Sequence, residues 1–331
     1  MVIDEQSSLF FWQQRPWQLV NTLISKQSLP HALLFQGPVG LGKAKFAEAL
    51  AHSLLCSAPN NNQACRRCKA CQLITAATHP DLLLLPPILE EKTLKIASVR
   101  QITDFLYQTT QYQGYKIVII PEAERLNRAA SNALLKTLEE PPPQSLLILT
   151  SAYPQHLLAT IRSRCQLIQF TIPDFAAASM WVGQQLSEKN WDPAILLNLA
   201  AGAPLQALEL ATSDLLSQRQ ALFSDFKALS SQQITLSQCS EKWQKYEPLW
   251  VFDTLITWVM DMVHLQFSLV ILNADFETDL YQWAQCTTFT KLWAFYQQLL
   301  QEKASVVHAA NLNKQLSVDY VLSLWLTKVL A

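Results

Sequence analysis

Nine residues constrain this chain more than any others: Gln36-Gly37-Pro38-Val39-Gly40-Leu41-Gly42-Lys43-Ala44. They separate an apolar run, His31 to Phe35, from a helix-like run, Lys45 to Leu55. The spacing is that of a phosphate-binding loop. In such a loop backbone N–H groups and a helix N-terminus face phosphate oxygens, and a lysine reaches the β/γ oxygens. The chain has six glycines and three of them lie here, so backbone freedom is concentrated where the loop needs it. The next position breaks the pattern. Ala44 stands where a Ser or Thr hydroxyl would ligate Mg²⁺, and a methyl group offers a metal nothing. Gly37, Gly40, Gly42, Lys43 and Ala44 therefore form a degenerate nucleotide site, at which ATP binding is doubtful.

Around the loop, apolar runs alternate with helical patterns. Residues 16–27 read as a helix with Pro16 in its first turn. Leu33–Phe35, residues 80–85, Lys116–Ile120, Leu146–Thr150 and Gln166–Phe170 read as strands, the first, second and fourth of them as buried ones. Helices fall at 42–55, about 97–110, Asn127–Glu140 and 154–162, the third stopped by Pro141-Pro142-Pro143. Such alternation predicts a parallel sheet with helices on both faces. After Ile172-Pro173 only helical periodicity continues. It covers 176–188 and 193–210, with a turn at Gly202-Ala203-Pro204, and then a Gln-, Leu- and Trp-rich remainder. There Phe252, Leu255, Ile256, Val259 and Val263 make one apolar face, and Leu316 to Leu330 repeats the pattern.

The bulk numbers bound the rest. A length of 331 residues suggests two or three domains. A net charge of −1 makes no general demand for nucleic acid. Residues 1–6 carry acids where a secretory signal needs cations. The apolar stretch Trp250 to Leu272 is interrupted by Asp253, Asp261 and His264. The expectation is a cytoplasmic protein with no membrane contact.

Four of the seven cysteines cluster as Cys56-x8-Cys65-x2-Cys68-x2-Cys71. Tetrahedral Zn²⁺ favours thiolates, and Cys-x2-Cys lets two sulfurs reach one ion from a tight turn. Arg66, Arg67 and Lys69 would offset the charge of a tetrathiolate. With four ligands no position stays open for substrate, so the zinc would be structural. Cys239 and Cys286 are expected to be ordinary buried thiols.

An ATP-hydrolysing loop also needs a carboxylate at the end of a second strand. In Ile117-Val-Ile-Ile-Pro121-Glu122-Ala-Glu124 the Asp position is Pro121, which can neither ligate nor polarise. Glu122 survives, although Glu122 and Glu124 serve equally well as the start of a solvated helix. Ser163-Arg164-Cys165 supplies a fixed charge with forked donors, such as a phosphoryl-transfer site borrows from a neighbour, or simply a surface cation.

These pieces in this order resemble the delta-prime subunits of the bacterial DNA polymerase III clamp loader, within the AAA+ superfamily. The motifs are Gly37–Lys43, the four cysteines, Thr78-His-Pro-Asp81, Asn132-Ala-Leu-Leu-Lys-Thr-Leu-Glu-Glu-Pro-Pro142 and Ser163–Cys165; they span about 31–170, with Ala201–Pro204 beyond. The resemblance implies an α/β P-loop AAA+ domain over 1–171 with a zinc module at about 56–71. A small helical lid over 172–212 and an all-α collar over 213–331 would follow. It implies a non-motor subunit that holds an assembly with gamma/tau and delta subunits, serving the sliding clamp and primer-template DNA. Arg164 would then act in trans on a neighbour's ATP, within a complex whose polymerase is a DNA-directed nucleotidyltransferase. Motor subunits carry the loop hydroxyl, the strand Asp and a sensor arginine, and Ala44, Pro121 and Leu205 occupy those places here. An active gamma/tau-like ATPase is the alternative.

Overall fold

The computed structural model describes residues 9–86, 96–112, 114–186, 191–308 and 314–329. The chain divides into two compact units, Met1–Asp174 and Phe175–Ala331.

The first unit holds a five-stranded parallel sheet, β1 (Ala32–Gln36), β2 (Leu82–Leu84), β3 (Lys116–Ile120), β4 (Ser145–Ser151) and β5 (Gln166–Gln169), in the order β2-β3-β4-β1-β5. Its helices are α1 (Gln14–Ser25), α2 (Lys43–Leu55), α3 (Lys69–Thr75), α4 (Ile96–Leu106), α5 (Arg128–Glu139) and the single turn α6 (Ala159–Arg162). The central strands are buried along their whole length, which is why they read as unbroken apolar runs. On one face Val118, Ile120, Leu147 and Leu149 pack with Ile102, Leu106, Leu134 and Leu138. On the other, Phe35 meets Phe46 edge-on at 5.1 Å, and Phe46 meets Trp17 at 5.6 Å and Phe170 at 5.0 Å. Local chemistry sets the helix ends. The Asn127 side chain caps α5 by accepting from the Ala130 N–H at 2.8 Å, and Pro141 ends it.

Three expectations need correction. Residues 80–85 form an edge strand rather than a buried one: β2 lies at the rim and Leu84 is 44% exposed. The helix expected to about 110 ends at Leu106, before the Gln111 and Tyr112 amides turn to Asp81. The stretch 193–210 divides into two helices at the turn expected there, where Gly202 takes a left-handed φ of 82°. Cys286 is exposed, lying at the C-cap of its helix, whereas Cys239 is buried as expected.

The second unit is helical throughout the described residues: α7 (Phe175–Gln185), α8 (Pro193–Leu199), α9 (Pro204–Thr212), α10 (Leu215–Ser230), α11 (Leu236–Trp243), α12 (Pro248–Gln266), α13 (Glu277–Gln285), α14 (Phe289–His308) and α15 (Lys314–Leu324). Residues 187–188 and Leu330, included in the expected helices, lie outside the described residues. Helix α12 is the spine: Phe252, Leu255, Trp258, Val259 and Met262 are all buried in a core that also takes in Phe226, Trp243 and Trp325. No single helix among the described residues is long and apolar enough to cross a membrane.

Candidate phosphate-binding and metal sites

The loop 37–44 runs from the end of β1 into α2, so the first turn of α2 opens onto it. Glycine is required at two of its positions. A Cβ on Gly37 would lie 2.3 Å from the Phe170 carbonyl oxygen, where the end of β5 crosses. Gly42, at φ 74°, is the N-cap of α2, and a Cβ there would strike the Phe10 ring at 2.8 Å. Lys43 is buried, and its ammonium turns back onto the loop itself, donating to the Gly37 and Pro38 carbonyls at 2.6 and 2.7 Å. Burial pulls its pKa down to about 8, against the opposing pull of the Glu124 and Glu122 carboxylates.

Those two acids are held in different ways. Glu122 has a left-handed backbone at φ 47°, and its carboxylate pairs with Arg125 at 2.7 Å. Glu124 accepts the Ala152 N–H at 3.0 Å, which ties it to the end of β4; its other carboxylate oxygen is buried with no partner among the described residues. Pro121 follows β3 directly, at the end of the strand where the carboxylate was sought. The solvated-helix reading is met only by a short 3₁₀ turn, Ala123–Arg125.

A segment that the motif analysis passed over braces the loop from outside. Gln13 is fully buried, and its amide nitrogen donates to the Leu41 and Gly42 carbonyls at 2.9 and 3.1 Å. Trp12 Nε1 adds a bond to the Leu41 carbonyl at 3.1 Å, and Phe10 stacks on Trp12 at 4.7 Å. The one available signal was the aromatic run Phe10-Phe11-Trp12 just before α1.

At the other end of α2 the four cysteines converge. Their Sγ atoms all lie within 4.8 Å of one another, with Cys56 and Cys68 at 3.9 Å. Tetrahedral ligation with Zn–S bonds of about 2.3 Å needs sulfur separations of about 3.8 Å, so the set fits a metal ion with little movement. The knuckle is shaped by Asn61, Asn62 and Arg66 in left-handed conformations, and Ser53 donates to the Asn62 carbonyl at 2.5 Å. Backbone N–H groups point at the sulfurs: Cys65 to Cys56 at 3.2 Å, Cys68 to Cys65 at 3.4 Å, Cys71 to Cys68 at 3.5 Å. The Cys71 amide brings the Cys68 thiol down to about 6, while burial pushes Cys71 up to about 12. Such donors favour thiolates, the ligating form.

Arg164 lies just after α6. Its Nη2 donates to Glu139 Oε1 at 2.6 Å and its Nη1 to the Thr160 carbonyl at 3.0 Å. The structure thus gathers the loop residues into one site and the cysteines into another. Glu139 and the Thr160 carbonyl, to which Arg164 donates, belong to neither.

Known proteins match along most of the chain. Residues 12–174 match the family described as "DNA polymerase III, delta subunit", and 213–327 its C-terminal family. The subunit delta' of DNA polymerase III from Pseudomonas aeruginosa is 35% identical over 323 residues, covering 96% of this chain and 98% of that protein. The chain belongs to the DNA polymerase III delta' family. The Escherichia coli delta' subunit is 38% identical over 58% of each chain. The Bacillus subtilis DNA polymerase III subunit tau is 36% identical over 46% of this chain and 26% of its own length. The matches differ in extent, and the one to the Pseudomonas delta' subunit runs over nearly the whole of both chains.

Proposed function

We propose that this delta' family member is a non-motor subunit of the clamp loader that places the sliding clamp on primed DNA. Three domains carry the work: a P-loop domain over 1–171, a lid over 172–212 and a collar over 213–331. The collar joins gamma/tau and delta subunits into the cytoplasmic assembly. The observation that carries this is a loop built in full around two chemically silent positions. Gly37 and Gly42 keep the loop's geometry and Lys43 keeps its place, yet Ala44 lies in the first turn of α2 without a hydroxyl and Pro121 follows β3 without a carboxylate. Mg²⁺ has no ligand at either point, so the loop serves as scaffold and the chain turns over no ATP by itself.

Arg164 supplies the second half of the role. Its side chain is 35% exposed at the end of a short helix, with donors left over for a phosphate carried by an adjacent motor subunit. The four cysteines hold structural zinc, which ties the C-terminus of α2 to the N-terminus of α3.

The test is ATP turnover by a reconstituted loader with clamp and primed DNA. Arg164→Ala is expected to leave this chain folded and to abolish the contribution of the site it completes, since such arginines are worth about 10³–10⁵ in rate. Unchanged turnover would refute the trans role.

A further inference from the structure

Two motifs that the sequence keeps 25 residues apart meet in one contact, the bond between Arg164 Nη2 and Glu139 Oε1. We propose that Glu139 is a positioning residue for Arg164, holding the guanidinium ready for a phosphate on the neighbouring subunit. The inference rests on the trans role of Arg164 proposed above.

Guanidinium offers five N–H donors in a rigid plane. Here one goes to Glu139 on α5 and one to the Thr160 carbonyl on α6, and the rest have no partner among the described residues. The side chain is thus anchored from two elements while part of its fork stays open. A plain surface ion pair accounts poorly for Glu139. It is the last residue of α5, where a carboxylate faces the negative end of the helix dipole, and a cation would serve the helix better. Both side chains are substantially exposed, at 35% and 51%, so the pair adds little to stability. What it does supply is order. A free arginine is rotamer-rich, and a group that must meet a reacting phosphate gains when that freedom is removed beforehand.

Glu139 also subtracts from the positive field of Arg164, so removing it has opposed consequences. Loss of order dominates, because an arginine of this kind acts through placement at the transition state.

The experiment uses the full-length chain in the reconstituted loader with clamp and primed DNA. It compares Glu139→Ala, Glu139→Gln, Arg164→Ala and the double variant Glu139→Ala/Arg164→Ala. Glu139→Ala is expected to remove at least half of the kcat that Arg164→Ala removes, with KM for ATP within about twofold of the parent. Glu139→Gln keeps an acceptor oxygen and is expected to recover most of that loss. The double variant is expected to be no slower than Arg164→Ala alone, the mark of two residues acting as one unit. Melting temperatures should agree within about 2 °C, which separates placement from folding. Parent-like or faster turnover in Glu139→Ala, or losses that multiply in the double variant, would overturn the positioning role while leaving Arg164 in place. A silent Arg164→Ala would overturn the trans role and the positioning role together.

Discussion

Helix α2 carries a site at each end, and the two differ in what they keep. At its N-terminus the phosphate loop retains glycine geometry and a lysine but offers Mg²⁺ no hydroxyl. At its C-terminus, about 20 Å away by the rise of a 13-residue helix, Cys56 opens a complete set of four sulfurs. On the function proposed above, the first site keeps its scaffold without its chemistry, while the second gathers four sulfurs that could hold a metal ion. On that reading a binding loop outlives its reaction because the packing around it needs the loop. The Phe10-Trp12-Gln13 brace and the close passage of Phe170 past Gly37 show such a need.

The largest expected effect lies at the intact end. Zinc content should be one ion per chain, and Cys71→Ser or a strong chelator should remove it. Structural zinc contributes on the order of 10 kcal/mol in small modules, so the segment 56–75 should become protease-sensitive. Acidification should release the metal too, because protons compete for the sulfurs. Full zinc-free stability would erase the contrast between the two ends.

Next comes the brace. Gln13→Ala leaves the Leu41 carbonyl and the start of α2 short of donors in a buried place, at a cost of about 1–3 kcal/mol. Denaturant midpoints measure it, and a cost near zero would mean that the loop stands without its N-terminal support.

The degenerate end can also be rebuilt. Ala44→Ser with Pro121→Asp should make ATP binding Mg²⁺-dependent, tightening it by about tenfold or more, with neither single change sufficing. Calorimetry with and without Mg²⁺ reads this, and a full response to Ala44→Ser alone would show that Pro121 is not a second defect.

The smallest effect is a slope. Lys43 has its pKa near 8 in the folded chain and the usual higher value when unfolded. Between about pH 8 and 10 the unfolded chain therefore binds more protons, and this lysine makes stability rise with pH, the cost of burying its charge being fully present below pH 8. In Lys43→Met that rise should vanish from the pH series of denaturant midpoints. Equal slopes would place the ammonium in solvent.

Much of the fold could be read from the residues because local signals and tertiary needs agree there. The Pro141–Pro143 stop, the Asn127 cap and the buried runs of β3 and β4 each carry their own reason. The loop and the cysteines were legible because their chemistry fixes spacing along the chain. What escaped depends on partners distant in sequence. Periodicity says nothing of strand order, so the rim position of Leu84 was hidden. Gln13 reaches the loop 28 residues on, and Glu139 meets Arg164 only through the fold. Cys286 looked like any core thiol until α13 ended there.

The most direct test is ATP turnover by the purified chain, alone and then mixed with gamma/tau and delta subunits, clamp and primed DNA. The account predicts no turnover alone, and in the mixture a stimulated turnover that needs this chain and its Arg164. Vigorous turnover by the chain alone would contradict it, since Ala44 and Pro121 would then have been replaced by ligands from elsewhere and the scaffold would be a motor.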